Sequence, residues 1–169
     1  ILDCETTGGK ATHHRITEIG LLIIKKGKVI ERWQSFVNPQ TSIPANIQAL
    51  TGITPAMVAK APLFEEIAEE LLAKLTGRTL VAHFARFDYG FLKNEFARAG
   101  IQYASKPLCS VKFSRALFPQ FKYHGLDAII KRFNFTIVNR HRAQDDAEII
   151  YQLFLKSSTL FSPDDIAAT

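Results

Sequence analysis

The sequence predicts an α/β domain in which a mixed five-stranded sheet, a three-strand meander plus alternating strand–helix units, is flanked by helices. Three observations lead there. Three strand-like runs lie within the first 37 residues, the second and third joined by a tight turn. From Phe64 onward, apolar residues at helical spacing alternate with short strand-like segments. The 169 residues hold no repeat and no Gly/Ser linker, which fits one domain able to bury roughly two thirds of its unfolded surface.

The elements follow in order. Ile1-Leu2-Asp3-Cys4 already reads as strand and lacks a Met, so residues 1–169 are expected to be a single domain without its native N-terminus, from a longer chain. Ile16 to Lys26, rich in Ile and Leu, forms a long strand. Gly27 turns the chain, and Lys28 to Val37 returns with Val29, Glu31, Trp33 and Ser35 on one side and Ile30, Arg32, Gln34 and Phe36 on the other. Pro39, Pro44, Pro55 and Pro62 punctuate an irregular stretch of short helical turns, with Thr54-Pro55 as a cap and first-turn proline. Phe64, Ile67, Leu71, Leu72 and Leu75 share one helical face that ends before Gly77. Thr79 to His83 reads as a short buried strand. A helix from about Arg86 to Ala99 is closed by Gly100, with Phe91, Leu92 and Phe96 as its stripe. Leu108 to Ser110 is a further strand, Val111 to Phe118 and Gly125 to Phe133 are short helices, and the last helix runs from about Arg142 to Ser157. The C-terminal tail carries no signal.

Composition narrows the class. Apolar residues are 47% and charged residues 22%, which excludes a disordered chain. The longest apolar run, Ile19 to Ile24, is far short of the ~20 residues of a membrane span. Two cysteines, Cys4 and Cys109, make no disulfide framework and no Cys-x-x-Cys, so a reducing, cytoplasmic setting is expected. The 21 Lys and Arg against 16 Asp and Glu, net +5, hint weakly at a polyanionic partner.

The acids are the informative residues. Asp3 and Glu5 are two apart on a strand and emerge from one face. Two such charges ~4 Å apart repel by about 4 kcal/mol at an effective dielectric near 20. Asp88 lies on the apolar stripe of its helix, in line with Leu92 and Phe96. Asp146 likewise leads Ile149, Ile150 and Leu153, whereas Asp145 points elsewhere as a cap or surface charge. Each acid alone has an ordinary explanation, as a solvated strand end or a first-turn acid favoured by the helix dipole. Together, three separated elements bring four carboxylates to the core-facing side, which calls for a cation. Oxygen-only ligands favour Mg²⁺ or Mn²⁺, and two ions ~3.5–4 Å apart suit phosphodiester chemistry. His141, five residues before Asp146, is either a base for the attacking water or a surface residue of a basic loop.

At these residues the sequence resembles the DEDDh exonucleases, most closely the DNA polymerase III epsilon-like proofreading branch. The three motifs are Asp3-Cys4-Glu5-Thr6-Thr7-Gly8, His83-Phe84-Ala85-Arg86-Phe87-Asp88, and His141-Arg142-Ala143-Gln144-Asp145-Asp146-Ala147. Leu50-Thr51-Gly52-Ile53-Thr54 and Leu108-Cys109-Ser110-Val111 are similar to family segments between them. The resemblance spans nearly the whole chain. It implies a ribonuclease H-like fold and 3′→5′ hydrolysis of nucleic acid to nucleoside 5′-monophosphates with two Mg²⁺ or Mn²⁺ ions. Asp3 would bridge both ions, Glu5 and Asp146 would hold the catalytic one, and Asp88 the second. His141 would be the general base; the sister class puts a Tyr where this chain has Arg142. Thr6, Thr7 and Gly8 would meet the 3′-terminal nucleotide, with Gly52, Ile53, His83, Phe84, Phe87 and Arg142 also at the substrate. Phe84 departs from the family's usual Asn. His13 and His14, after Gly8, read as a solvent-exposed pair rather than a third metal site.

From Ser105 to Arg142 there are eight Lys or Arg and one acid, Asp127, interleaved with Phe113, Phe118, Phe121, Tyr123, Phe133 and Phe135. Such a stretch suits a single-stranded track, although Phe residues also build cores. Glu65, Glu66, Glu69 and Glu70 mark a solvated helix face. The expected function is exonuclease action on single-stranded DNA 3′ ends in proofreading or repair, alone, with a polymerase or fused to a second domain. The rivals are a 3′→5′ exoribonuclease and a non-catalytic nucleic-acid or polymerase-binding module.

Overall fold

A computed structural model describes residues 1–169. Strands β1 (Leu2–Thr6), β2 (Ile16–Lys25) and β3 (Lys28–Phe36) form an antiparallel sheet with β2 in the centre. The β2–β3 hairpin closes on Lys26 and Gly27, both at positive φ (52° and 76°), the two-residue turn whose twist matches flanking strands. Helices α1 (Ala45–Thr51) and α2 (Pro55–Ala59) follow. Thr54 caps α2 with Pro55 in its first turn, as the sequence implies.

Helix α3 (Phe64–Leu75) leads to β4 (Val81–Ala82), α4 (Ala85–Arg98) and β5 (Leu108–Cys109). Strands β4 and β5 pair in parallel. Five strands are thus present, but they hydrogen-bond as a three-stranded and a two-stranded ladder, with β4 lying beside β1. The ladder stops early because the backbone swings to left-handed values at Phe84, redirecting the chain into α4. Helices α5 (Ser110–Leu117), α6 (Leu126–Phe133) and α7 (Ala143–Leu160) come next, and α8 (Pro163–Ala167) closes the chain. Helix α8 is absent from the sequence reading, yet Ser162-Pro163 repeats the Thr54-Pro55 signal and Asp165 completes its capping box.

Side-chain alternation on β1 and β2 separates two environments. Leu2, Cys4, Ile19, Leu21 and Ile23 join Phe64, Ile67 and Leu71 of α3 and Phe91, Leu92 and Phe96 of α4 in the main core. Asp3, Glu5, Glu18 and Gly20 point to the opposite face, where α7 crosses both strands; Asp3 pairs with Gly20 and Glu5 with Glu18. Strand β2 is therefore covered on both sides, which explains its nearly unbroken burial. Gly20 is the seat of α7: a Cβ there would lie 2.3 Å from the Gln144 nitrogen and 2.6 Å from the Ala143 carbonyl carbon.

Both atoms are backbone, so neither can rotate aside. Gly20→Ala is expected to cost ~3 kcal/mol, the upper part of the overpacking range, in chemical denaturation, and to displace the start of α7. An unchanged unfolding midpoint would contradict this packing.

Candidate active site

The start of α7 sits beside β1, and a cleft of about 400 Å³ opens where they meet the first turn of α4. Asp3, Glu5, Asp88 and Asp146 all line it, with His141 and Arg140. Asp3, Glu5 and Asp146 present ligand atoms within 4.8 Å of one another. Asp88 comes from α4, and its Oδ1 accepts the Cys4 backbone N–H at 3.0 Å, on the edge of β1 that faces away from β2. The four acids of the sequence reading thus share one cleft.

Their protonation shows what the cleft lacks in positive charge. Burial, then Asp88, Glu5 and Asp146, push Asp3 well above the usual carboxylate range. Burial, then Asp146 and Glu18, raise Glu5 to about 9. Burial raises Asp88 to about 8 against the opposing Cys4 N–H. Asp146 reaches only about 6, because Arg140 and the His141 N–H offset its burial. Asp3 Oδ2 is buried without any hydrogen-bond partner. An orphaned carboxylate oxygen amid three more carboxylates fits a hard divalent cation.

His141 stands at φ 67°, and its backbone N–H donates to Asp146 Oδ1 at 3.2 Å. Burial first, and Arg140 second, lower the pKa of its half-buried ring, favouring the neutral imidazole. Arg140 donates through Nη1 to Asp146 Oδ2 (2.5 Å) and through Nε to Asp127 Oδ1 (2.6 Å). Neither Arg140 nor Asp127 stands out in sequence, where both belong to a basic stretch.

Glu18 is the buried residue that sequence reasoning missed. It is 1% exposed, and Oε1 accepts the Ala143 N–H at 2.9 Å while both oxygens receive the Arg142 guanidinium at 3.1 and 3.0 Å. A carboxylate on a strand directly before the apolar run Ile19–Ile24 was the available signal. Arg142, expected at the substrate, is committed to Glu18 and lies over the Phe36 ring.

Other expected substrate residues divide. Phe84 and Phe87 line the cleft and are exposed. His83 also lines it, but its ring is buried: Nε2 lies 2.7 Å from the His124 carbonyl and Nδ1 2.7 Å from Ser110 Oγ. Burial lowers its pKa to about 4. Thr6 Oγ1 donates to the Gly8 carbonyl, and Thr7 Oγ1 accepts the Arg15 N–H, so both hydroxyls serve the loop. Gly52 is the left-handed cap of α1, and Ile53 is fully buried with Ile43 and Val58. His13 is exposed, whereas His14 packs on Gly8 and accepts the Lys10 N–H, so the two rings act separately. Along the basic stretch, Phe113, Phe118, Phe133 and Phe135 belong to the core; Phe121 and Tyr123 are exposed. Glu65, Glu66, Glu69 and Glu70 are exposed as expected.

The RNase_T family model, described as exonuclease, matches residues 1–154. The chain is 36% identical over 156 residues to the PolC-type DNA polymerase III of Caldanaerobacter subterraneus subsp. tengcongensis, covering 92% of this chain and 11% of that protein. It is 37% identical over 158 residues to the 3′-5′ exonuclease DinG of Bacillus subtilis, covering 92% and 17%. The chain thus spans a small fraction of these relatives. Exonuclease X, solved in complex with 5′-overhanging duplex DNA, superposes with a TM-score of 0.72 at 24% identity, covering 99% of this chain and 96% of that one. The zinc-bound E. coli exonuclease I–ssDNA complex gives 0.85 at 18% identity, covering 99% and 41%. The fold is therefore ribonuclease H-like. No helix is long and apolar enough to cross a membrane.

Two predictions follow from the charge arrangement. In the folded domain Asp88 and Glu5 titrate near about 8 and about 9, above their ordinary range. The stability this confers in chelator is complete at low pH and lost as pH rises through those values. The thermal midpoint in EDTA should fall between about pH 6 and 9, and the rise on adding Mg²⁺ or Mn²⁺ should be larger at pH 8 than at pH 6. Equal metal-induced shifts at both pH values would show that protons and metal do not compete. Separately, Arg142→Met leaves Glu18 buried with its charge partner gone and should cost ~3–5 kcal/mol in urea unfolding.

Proposed function

Because the chain belongs to the RNase_T exonuclease family, we propose that it is a metal-dependent 3′→5′ exonuclease acting on single-stranded DNA ends and releasing nucleoside 5′-monophosphates. The observation that carries this is the convergence of Asp3, Glu5, Asp88 and Asp146, with a half-buried His141, on one cleft. The choice of DNA rests on relatives named as DNA polymerase III and on neighbours solved with DNA.

Asp3, Glu5 and Asp146 are the closest set and would hold one Mg²⁺ or Mn²⁺, with Asp88 and Asp3 holding a second. The bound ions supply Lewis acidity and offset the phosphate's charge. The chain's own residues do the rest. The neutral His141 ring takes a proton from the attacking water as its oxygen bonds phosphorus and the bond to the 3′ oxygen of the preceding nucleotide breaks. The leaving 3′ oxygen takes up a proton from solvent, and the products are a 5′-monophosphate and a strand one nucleotide shorter, ending in a 3′ hydroxyl. Glu18, through Ala143 and Arg142, positions the turn that carries His141 and Asp146. Phe84 and Phe87 give the cleft an apolar wall against a nucleotide. Action in proofreading or repair, as part of a polymerase or another fused protein, is the setting its relatives suggest.

Digestion of end-labelled single-stranded DNA and RNA in Mg²⁺, beside an Asp3→Ala control, tests this reading. Stepwise monophosphate release from DNA, lost in the control, is expected. Preference for RNA would favour an exoribonuclease, and no release from either would leave a non-catalytic binding module. His141→Ala should lower kcat by ~100-fold or more with metal affinity nearly intact, measured by steady-state kinetics and Mn²⁺ titration. Full activity in that variant would remove His141 from the mechanism.

A further inference from the structure

Two exposed aromatic residues adjoin in sequence the partners of one buried hydrogen bond in the wall of the cleft. His83 lies against the His124 carbonyl, and the residues beside that pair, Phe84 and Tyr123, are 52% and 67% exposed. Neither ring belongs to a core cluster. Phe84 is held at φ 55°, ψ 54°, a left-handed backbone unfavourable for a bulky side chain, and it gives α4 no side-chain cap. A strained backbone that holds an apolar ring in water on a cleft wall indicates contact with a ligand.

The backbone that carries Tyr123 is held by its neighbours. Arg132 lies 3.8 Å from the Phe121 ring centroid and donates to the Tyr123 carbonyl. The His124 ring is fixed between Ser114 Oγ and the Phe121 carbonyl. Lys122 Nζ stands 5.4 Å from the Tyr123 ring centroid, bringing positive charge to the same spot. Gly125, Leu126 and Asp127, which follow directly, line the cleft.

We propose that Phe84 and Tyr123 form a stacking subsite for unpaired nucleobases, an assignment that rests on the exonuclease reading and names how it selects its substrate. Phe84, on the cleft wall, takes the base of the 3′-terminal nucleotide, and Tyr123, just beyond the wall, takes the preceding base. Lys122 holds the phosphate between them. Ring faces accept any base, so the subsite is tolerant of sequence. A base stacked and paired within a duplex cannot offer its face to either ring, so single-stranded ends are preferred.

The test pairs protein variants with abasic DNA. Binding of a fluorescein-labelled thymidine octanucleotide is followed by anisotropy with Ca²⁺ in place of Mg²⁺, using strands abasic at the last or the preceding position. In the unmodified protein each missing base should weaken binding about fivefold or more. In Phe84→Asn the penalty at the last position should vanish, while the thermal midpoint stays equal or rises, since Asn tolerates this backbone. In Tyr123→Ser the penalty at the preceding position should vanish. Penalties that persist in both variants, or that the unmodified protein lacks, would overturn the subsite. Penalties that behave as expected in a protein releasing no monophosphate in Mg²⁺ would uphold the subsite and discard the exonuclease reading.

Discussion

The site depends on how the first turn of α7 is docked onto β2. Glu18 accepts the Ala143 N–H and the Arg142 guanidinium, and Gly20 leaves the space in which that turn lies. Asp146 and His141 are both within four residues of this contact, so their place beside Asp3 and Glu5 is set by it. Burying a carboxylate is costly unless it is paired and hydrogen-bonded, and Glu18 also faces Glu5 across the strand pair. The Arg142 fork and the Ala143 N–H meet that need. Backbone contact at Gly20 gives the seat its close fit, because backbone atoms cannot rotate away from a misfit.

A second constraint is charge. Five carboxylates, the four converging acids and Asp127, line one cleft with a single guanidinium, Arg140, bonded to Asp146 and Asp127. Asp146, which Arg140 touches, is raised less than Glu5 or Asp88. The fold thus gathers more negative than positive charge at the cleft, an excess that fits divalent cations. The stretch between Ser105 and Arg142 carries eight basic residues and one acid, an excess of positive charge that suits a polyanion.

The opposite wall is held by histidines rather than acids. His83 and His124 are buried and join α5, the end of β4 and the 121–125 loop through short polar contacts. Their ring nitrogens are occupied, which suits them to holding the wall rather than to proton transfer. The rings that do face solvent are their neighbours, Phe84 and Tyr123.

How much of this the sequence shows depends on distance along the chain. Element order, the alternation that puts Asp3 and Glu5 on one face, and the inward placing of Asp88 and Asp146 are local periodicities, and they hold in the structure. Arg142 differed because its partner, Glu18, is 124 residues away, and no pattern around Arg142 reports it. His83 lines the cleft as expected, but its ring is held by partners 27 and 41 residues distant, which no local pattern reports. Likewise, helix-spaced Phe residues of the basic stretch read alike in sequence, and only packing separates buried Phe113 and Phe118 from exposed Phe121. The sequence by itself determined which carboxylates turn inward on their own elements, since side-chain direction follows from the period of the backbone. Only the tertiary structure decided which remaining polar groups are consumed by distant partners and which rings stay free, because burial and pairing are properties of the closed fold.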